Sequence, residues 1–189
     1  MTRAGVWGLG LLAVITQLAL VGAVGLVVIS RWWSRGRRIR VALTRVLEHA
    51  ALPLAWGIAL VATGGSLYLS EVARFPPCVL CWYQRCAMYP LVVLLGIATW
   101  RRDRSVRPYG LALAGLGLPI SGYHYLLEWF PQLESTVCDP TNPCTLVWVR
   151  LFGYLSIPLM AATAFAGIAV LLGALHAAPS RSHDRGRTR

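Results

Sequence analysis

Two cysteines separated by two residues, Cys78 and Cys81, are the residues of this chain best suited to chemistry. This spacing lets the two sulfurs meet across one helical turn, so the pair can cycle between a dithiol and a disulfide. Pro76 and Pro77 precede the pair, and proline suits a helix entrance because its missing N–H is not needed there. The sequence therefore predicts a helix that begins near Cys81, whose sulfur would lie beside free N–H groups that favour a thiolate.

The residues that follow the pair add a charge to the same helix. Arg85 comes four residues after Cys81 and shares its helical face, so its permanent charge would also favour the thiolate. A charge one turn inside a membrane helix is costly, so we expect Arg85 to contact the thiolate and an electron acceptor. Gln84 and Tyr83 are weaker candidates for the site, and packing at the interface is the favoured interpretation for both. Cys86 is expected to be a buried structural thiol.

A second pair of cysteines, Cys138 and Cys144, lies in a later loop. The residues between them favour turns that can bring the sulfurs together, namely Pro140, Asn142 and Pro143. Such a pair can exchange electrons with the first pair, or it can simply brace the loop. The four thiolates could instead hold a zinc ion, although structural zinc sites usually use compact knuckles rather than such unequal spacings.

The composition indicates an integral membrane protein. Of the 189 residues, 57% are hydrophobic and 13% are charged, against about 25% charged in soluble domains. The net charge is +11, and all 18 basic residues are arginine. The arginines cluster between the apolar runs. That distribution is typical of the positive-inside rule and argues against a nucleic-acid partner.

Five apolar runs are long enough to cross a bilayer, at about residues 5–30, 50–70, 81–100, 108–127 and 151–176. The first is too long for a secretory signal, so we expect it to be retained. The positive-inside rule places both cysteine pairs outside the cytoplasm, where disulfides persist, and the carboxyl terminus inside. The predicted fold is an all-α integral membrane protein with a four-helix core and one extra amino-terminal helix.

Three regions are expected along the chain. Residues 1–47 would form the extra helix and a basic cytoplasmic linker, and residues 48–176 the core with its redox loops. Residues 177–189 would form a disordered cytoplasmic tail.

The predicted electron transfer requires an acceptor inside the membrane. The chain carries no haem or flavin motif, so a lipid-soluble quinone is the acceptor that we expect. His124, near the outer end of the fourth helix, could bind a quinone carbonyl or supply a proton. Alternatively, His124 has a structural role and forms a hydrogen bond with Tyr123, Tyr125 or Glu128.

The segment Cys78-Val-Leu-Cys81-Trp-Tyr-Gln-Arg85, followed by a membrane helix and a short cysteine pair, resembles the DsbB/BdbC family of disulfide-bond formation proteins. Residues 121–125 and 152–158 are similar to the BdbC-like branch, and the resemblance extends over about residues 48–176. It implies a four-helix bundle of DsbB type in the plasma membrane, whose activity depends on menaquinone or ubiquinone.

The resemblance also implies an order of electron transfer. A DsbA-like, thioredoxin-fold partner would form a mixed disulfide with Cys138, and Cys144 would then exchange with Cys78. Cys81, beside Arg85, would pass the electrons to quinone.

Two other classes of protein remain open from the sequence. A vitamin-K-epoxide-reductase-like enzyme also couples membrane thiols to quinone, although its active pair follows its shuttle pair along the chain. A membrane protein that binds metal through four cysteines would need no quinone.

Overall fold

Five α-helices account for most of the fold: α1 (Thr2–Trp32), α2 (Ser34–Leu67), α3 (Val79–Arg101), α4 (Arg107–Leu127) and α5 (Ile157–Ala174). The structure is a computed structural model that describes residues 2–32, 34–134 and 138–175, with side chains described at 4–25, 50–134 and 138–175. The predicted tail at 177–189 lies outside the described residues. Within them, the predicted all-α architecture is confirmed.

Four stretches of helix are long and apolar enough to cross a membrane: Ala4–Gly25, Ala50–Val72, Val79–Arg101 and Ile157–Ala174. Helix α4, which carries a run of glycines and polar residues, is not among them, but it packs along α3 and α5 as a full member of the bundle. Large apolar side chains such as Val93, Ile97 and Leu116 project outward from the bundle, as expected of a surface that faces lipid.

Helix α2 is longer than the sequence predicted. It begins at Ser34, so the stretch expected to be a basic linker is helical over 34–49. Leucine, alanine and arginine are good helix formers, and this stretch contains no proline. At its other end the helix widens into a π-helical turn, Tyr68–Val72, and the chain leaves it at Arg74, which has a φ of 57°. An extended segment then leads into α3.

The last helix was predicted from residue 151 but begins at Ile157. The residues before it form an antiparallel hairpin of β1 (Arg150–Leu151) and β2 (Leu155–Ser156). Phe152 and Gly153 both have positive φ, 53° and 79°, which is the geometry of a type I′ hairpin turn. Pro158 in the first turn of α5 suits a helix start, because proline cannot continue a helix from upstream.

The core of the bundle lies between α2, α3, α4 and α5. Its fully buried side chains include Leu91, Leu95, Phe165, Ile168 and Leu172. Small residues let the helices approach closely, as is typical of membrane bundles. Helix α1 lies outside this core and packs against α2 and α5.

Gly117 tests this close packing, because a Cβ added there would overlap the ring of Phe165, which is fully buried. We expect Gly117→Ala to lower the free energy of unfolding by about 1–3 kcal/mol, the usual cost of overpacking. Gly115→Ala, in the same helix, is the control, since its added methyl group meets nothing within 4 Å. Unfolding in mixed micelles measures both variants, and equal stability of the two would contradict the packing.

Candidate active site

Cys78 is the N-cap residue of α3, with its backbone extended at φ −73° and ψ 175°. Its Sγ accepts a hydrogen bond from the backbone N–H of Cys81 at 3.4 Å, and the two sulfurs lie 3.0 Å apart. The predicted helix entrance is therefore present. The sulfur that receives the free N–H is Cys78 rather than Cys81, because Cys81 already lies inside the first turn and its own amide points back to the cap.

A buried histidine and glutamine complete the surroundings of Cys78. His124 Nε2 lies 3.6 Å from Cys78 Sγ, and its Nδ1 lies 3.1 Å from Gln84 Nε2. When the Gln84 amide donates to Nδ1, the neutral ring carries its proton on Nε2 and can donate it to the sulfur. Gln84, for which packing was the favoured interpretation, therefore orients His124 toward Cys78.

These contacts favour a thiolate at Cys78. A hydrogen bond from the Cys81 thiol is the largest influence that holds the pKa of Cys78 well below its usual range. The hydrogen bond and charge of His124 and the Cys81 amide act in the same direction, while burial opposes them. In the dithiol form, Cys78 is therefore the nucleophilic sulfur.

The second pair, Cys138 and Cys144, forms a disulfide with its Cα atoms 5.9 Å apart. Both cysteines are buried, with 7% and 1% of their surface exposed, and they belong to the same packed cluster as Cys78 and Leu127. Asn142 secures the loop by donating from its side chain to the carbonyl oxygen of Pro77 at 3.2 Å. The two cysteine pairs are thus neighbours in the fold, although some 60 residues separate them in the chain.

Glu134 holds the disulfide loop from the other side. Its carboxylate accepts a hydrogen bond from the backbone N–H of Cys144 at 2.7 Å. A carboxylate oxygen of Glu134 and the sulfurs of Cys138 and Cys144 lie within 4.8 Å of one another. Glu134 was not predicted as a site residue, because no motif links a glutamate at this spacing to the pair.

Cys81 borders a different environment from Cys78. It lines a cavity of about 420 Å³ between α1, α2, α3 and α5, together with Gln84 and Arg85. The cavity walls are mostly apolar. Arg85 donates to the side chain and backbone oxygens of Ser66, at 3.0 and 3.1 Å, and lies 5.1 Å from the centre of the Trp82 ring. Both cysteines pack with the cluster of the disulfide loop, but of the two only Cys81 also lines the cavity.

Two predicted residues are placed differently from what the sequence suggested. His124 does not line the cavity, so a contact with a quinone there stays a prediction. The prediction that Cys86 is a buried structural thiol is wrong, since Cys86 is exposed on the surface of α3. Cys86 is five residues from Cys81, which turns it by about 140° around the helix and away from the pair.

Two groups of metal-ligating atoms occur among the described residues. Cys78, Cys81 and His124 form one group, and Glu134, Cys138 and Cys144 form the other. The first group offers three ligand atoms, which is the number of protein ligands in a catalytic zinc site. A site of four thiolates would require the disulfide between Cys138 and Cys144 to be broken.

Disulfide exchange is the chemistry that two adjacent cysteine pairs permit, and a membrane bundle that carries them defines a membrane-embedded thiol–disulfide oxidoreductase. The family model described as disulfide bond formation protein DsbB matches residues 48–175. The chain belongs to this family, and the predicted four-helix bundle of DsbB type is confirmed.

Three relatives are named probable disulfide formation proteins, and each is 44% identical to this chain. The protein of Oceanobacillus iheyensis matches over 131 residues, 68% of this chain and 90% of its own length. Those of Bacillus cereus and Coxiella burnetii match over 125 and 120 residues, which cover 65% and 62% of this chain and 89% and 82% of the relatives. No solved structure matches the chain. The protein is a disulfide-forming membrane oxidoreductase.

The lowered pKa of Cys78 predicts a pH dependence. Its thiolate persists as the pH falls and is lost only below the folded-state pKa, so alkylation of Cys78 should stay fast from about pH 8 to 6, where an ordinary thiol slows by roughly a hundredfold. Cys81→Ala removes the hydrogen-bond donor and should raise the pH at which the alkylation rate of Cys78 is half its maximum. Cys81→Ser keeps a hydroxyl donor and should raise this midpoint pH less. The rates are measured with iodoacetamide in a Cys86→Ser background, and the same midpoint pH in the alanine variant and the parent would contradict the role of the Cys81 thiol.

Glu134 should control how readily the disulfide loop opens. Glu134→Ala leaves the Cys144 N–H without its charged acceptor, a loss of about 1.5–3 kcal/mol. We expect dithiothreitol to reduce the Cys138–Cys144 disulfide roughly tenfold to a hundredfold faster in this variant. Glu134→Gln keeps a carbonyl oxygen acceptor and should show a smaller increase. A rate unchanged in the alanine variant would show that Glu134 does not restrain the loop.

Proposed function

We propose that this protein is a thiol:quinone oxidoreductase that reoxidises a DsbA-like, thioredoxin-fold partner and so drives disulfide formation in exported proteins. Electrons would pass from Cys138 and Cys144 to Cys78 and Cys81, and from there to quinone. The observation that carries this proposal is the position of the Cys78/Cys81 pair, with one sulfur packed against the disulfide loop and the other lining the apolar cavity.

The first step is an exchange at the loop. A thiolate of the reduced partner attacks Cys138, the Cys138–Cys144 bond breaks, and Cys144 leaves as a thiolate. Because both cysteines are buried, the loop must first move away from the bundle. The contacts that would break are those of Asn142 with Pro77 and of Glu134 with the Cys144 amide.

The second step moves the electrons to the helix. The Cys144 thiolate attacks Cys78 of an oxidised Cys78–Cys81 pair, and Cys81 leaves as a thiolate. The second thiol of the partner then attacks the partner's own sulfur in the mixed disulfide and releases Cys138 as a thiolate. Cys138 attacks Cys144 in the Cys144–Cys78 disulfide, and Cys78 leaves as a thiolate. The products are an oxidised partner, a Cys138–Cys144 disulfide and a reduced Cys78/Cys81 pair, which is the distribution of bonds in the structure.

The third step returns the pair to its disulfide. A quinone accepts two electrons and two protons. The cavity suits one, because its apolar walls can hold an isoprenoid tail while Arg85 provides a fixed positive charge beside Cys81. The Cys78 thiolate lies 3.0 Å from Cys81 Sγ, in reach to form the S–S bond as the electrons leave. His124, hydrogen-bonded to Cys78, can hold a proton at Nε2 during this step.

The distribution of arginines supports one orientation of the protein in the membrane. Those after α1, those around the α3–α4 connection and those of the tail would face the cytoplasm under the positive-inside rule. The four redox cysteines would then lie at the outer surface of the plasma membrane, where a secreted partner can reach them.

Reduction of quinone by the purified protein with a reduced DsbA-type partner tests the proposal. Cys81→Ser should lower the turnover at least a hundredfold, because the pair can then form no disulfide and no redox sulfur faces the cavity. Cys86→Ser is the matched control in the same helix and should keep the parental rate, since Cys86 lies outside the electron path.

Two results would reject the proposal. Turnover that survives in Cys81→Ser would refute the electron path. Absence of quinone reduction in the parent, together with stoichiometric zinc released when Cys78 and Cys81 are alkylated, would support the metal-binding alternative instead.

A further inference from the structure

Helix α1 lies outside the family match, which covers residues 48–175. It is nevertheless fastened to the core by polar contacts. Gln17 donates to Thr163 of α5 at 3.0 Å and accepts from the hydroxyl of Tyr154 at 3.1 Å. Near its amino end, Trp7 meets Phe152 of the hairpin edge to face, with ring centres 5.5 Å apart. Hydrogen bonds of this kind fix a helix in place, whereas apolar contact alone discriminates little in lipid.

One face of α1 lines the cavity next to Cys81. The lining residues are Leu9, Leu12, Ala13 and Thr16. Their spacing of three and four residues is that of a single helical stripe. Because α1 packs against both α2 and α5, which also line the cavity, this stripe forms the wall between those two helices.

The stripe begins at the level of Arg85. Leu9 packs against Gly65, where an added Cβ would lie 2.7 Å from Leu9 Cδ2, and the next residue, Ser66, binds Arg85. Thr16, seven residues further on, reaches Gly167 of α5, whose added Cβ would lie 3.2 Å from Thr16 Cγ2. At 1.5 Å per residue, the stripe runs about 10 Å deeper into the membrane.

We propose that α1 is a wall of the quinone site and a determinant of which quinone fits. Leu9 borders the ring beside Arg85, and Leu12, Ala13 and Thr16 border the first part of the isoprenoid tail. Ala13 is buried, and its small side chain leaves the room that the tail occupies. This inference rests on the proposed quinone chemistry, but the core could carry out that chemistry without this wall.

Ala13→Trp tests the wall, because a large ring at this position would fill the tail region. We expect KM for a long-tailed quinone to rise at least tenfold while KM for a tail-less quinone changes less than threefold. Disulfide exchange with the reduced partner in a single turnover without quinone should keep its parental rate. Ala19→Trp is the matched control, since Ala19 lies on the exposed face of the same helix and outside the cavity.

A second measurement requires no substitution in α1. A quinone with a photoreactive group on its tail, bound to the intact protein and irradiated, should label a peptide from within residues 4–25. Labelling confined to α2, α3 and α5 would overturn the inference, as would unchanged KM values in Ala13→Trp. If the parent protein does not reduce quinone at all, the proposed function fails first, so the two failures are distinguishable.

Discussion

The hydrogen bonds to the Cys78 sulfur are the interactions on which the rest of the site depends. An N-cap position supplies a free backbone N–H, and here a thiol occupies the place that serine or aspartate usually takes. The Cys81 thiol and His124 add two further donors. One sulfur of the pair is thereby stabilised as an anion, while the other stays in the first turn. This asymmetry already distinguishes the two sulfurs within the fold itself.

The asymmetry coincides with a boundary in the fold. At the start of α3, both cysteines pack with the disulfide loop, and Cys81 in addition borders the apolar cavity. A helix entrance is well suited to this arrangement, because the residues of its first turn point in several directions within a few ångströms. In the proposed function, the loop exchanges with Cys78 while the acceptor approaches Cys81 from the cavity, so the two reactions would use the same pair of cysteines from different directions.

The sequence predicted those features that are determined by neighbouring residues. Pro76 and Pro77 indicated where α3 starts, and the turn formers after Cys138 indicated that the loop closes on itself, because such signals act over a few residues. The helix lengths were less accurate, since the basic stretch after α1 reads equally well as a linker or as a helix. The hairpin before α5 was missed because its strands have two residues each.

Contacts between distant elements were beyond the sequence. Gln84 and His124 meet across two helices, and only the packing of α3 on α4 brings them together. One signal for Gln84 was present: an amide one turn inside a membrane helix, three residues after Cys81, requires a partner in an apolar surrounding. The position of α1 beside the cavity had no such signal, because an apolar helix that meets lipid and one that meets a ligand have the same composition.

The burial of Cys138 and Cys144 has a consequence for electron leakage. An exposed disulfide in an oxidising enzyme would react with any small thiol nearby, and the protein would consume acceptor without making a disulfide in another protein. With both sulfurs covered, the rate at which the loop opens limits every such side reaction. A protein partner that binds the opened loop would keep it open long enough to react, whereas a small thiol gains no such residence time. Under the proposed function, such a loop would favour productive transfer by kinetics rather than by redox potential.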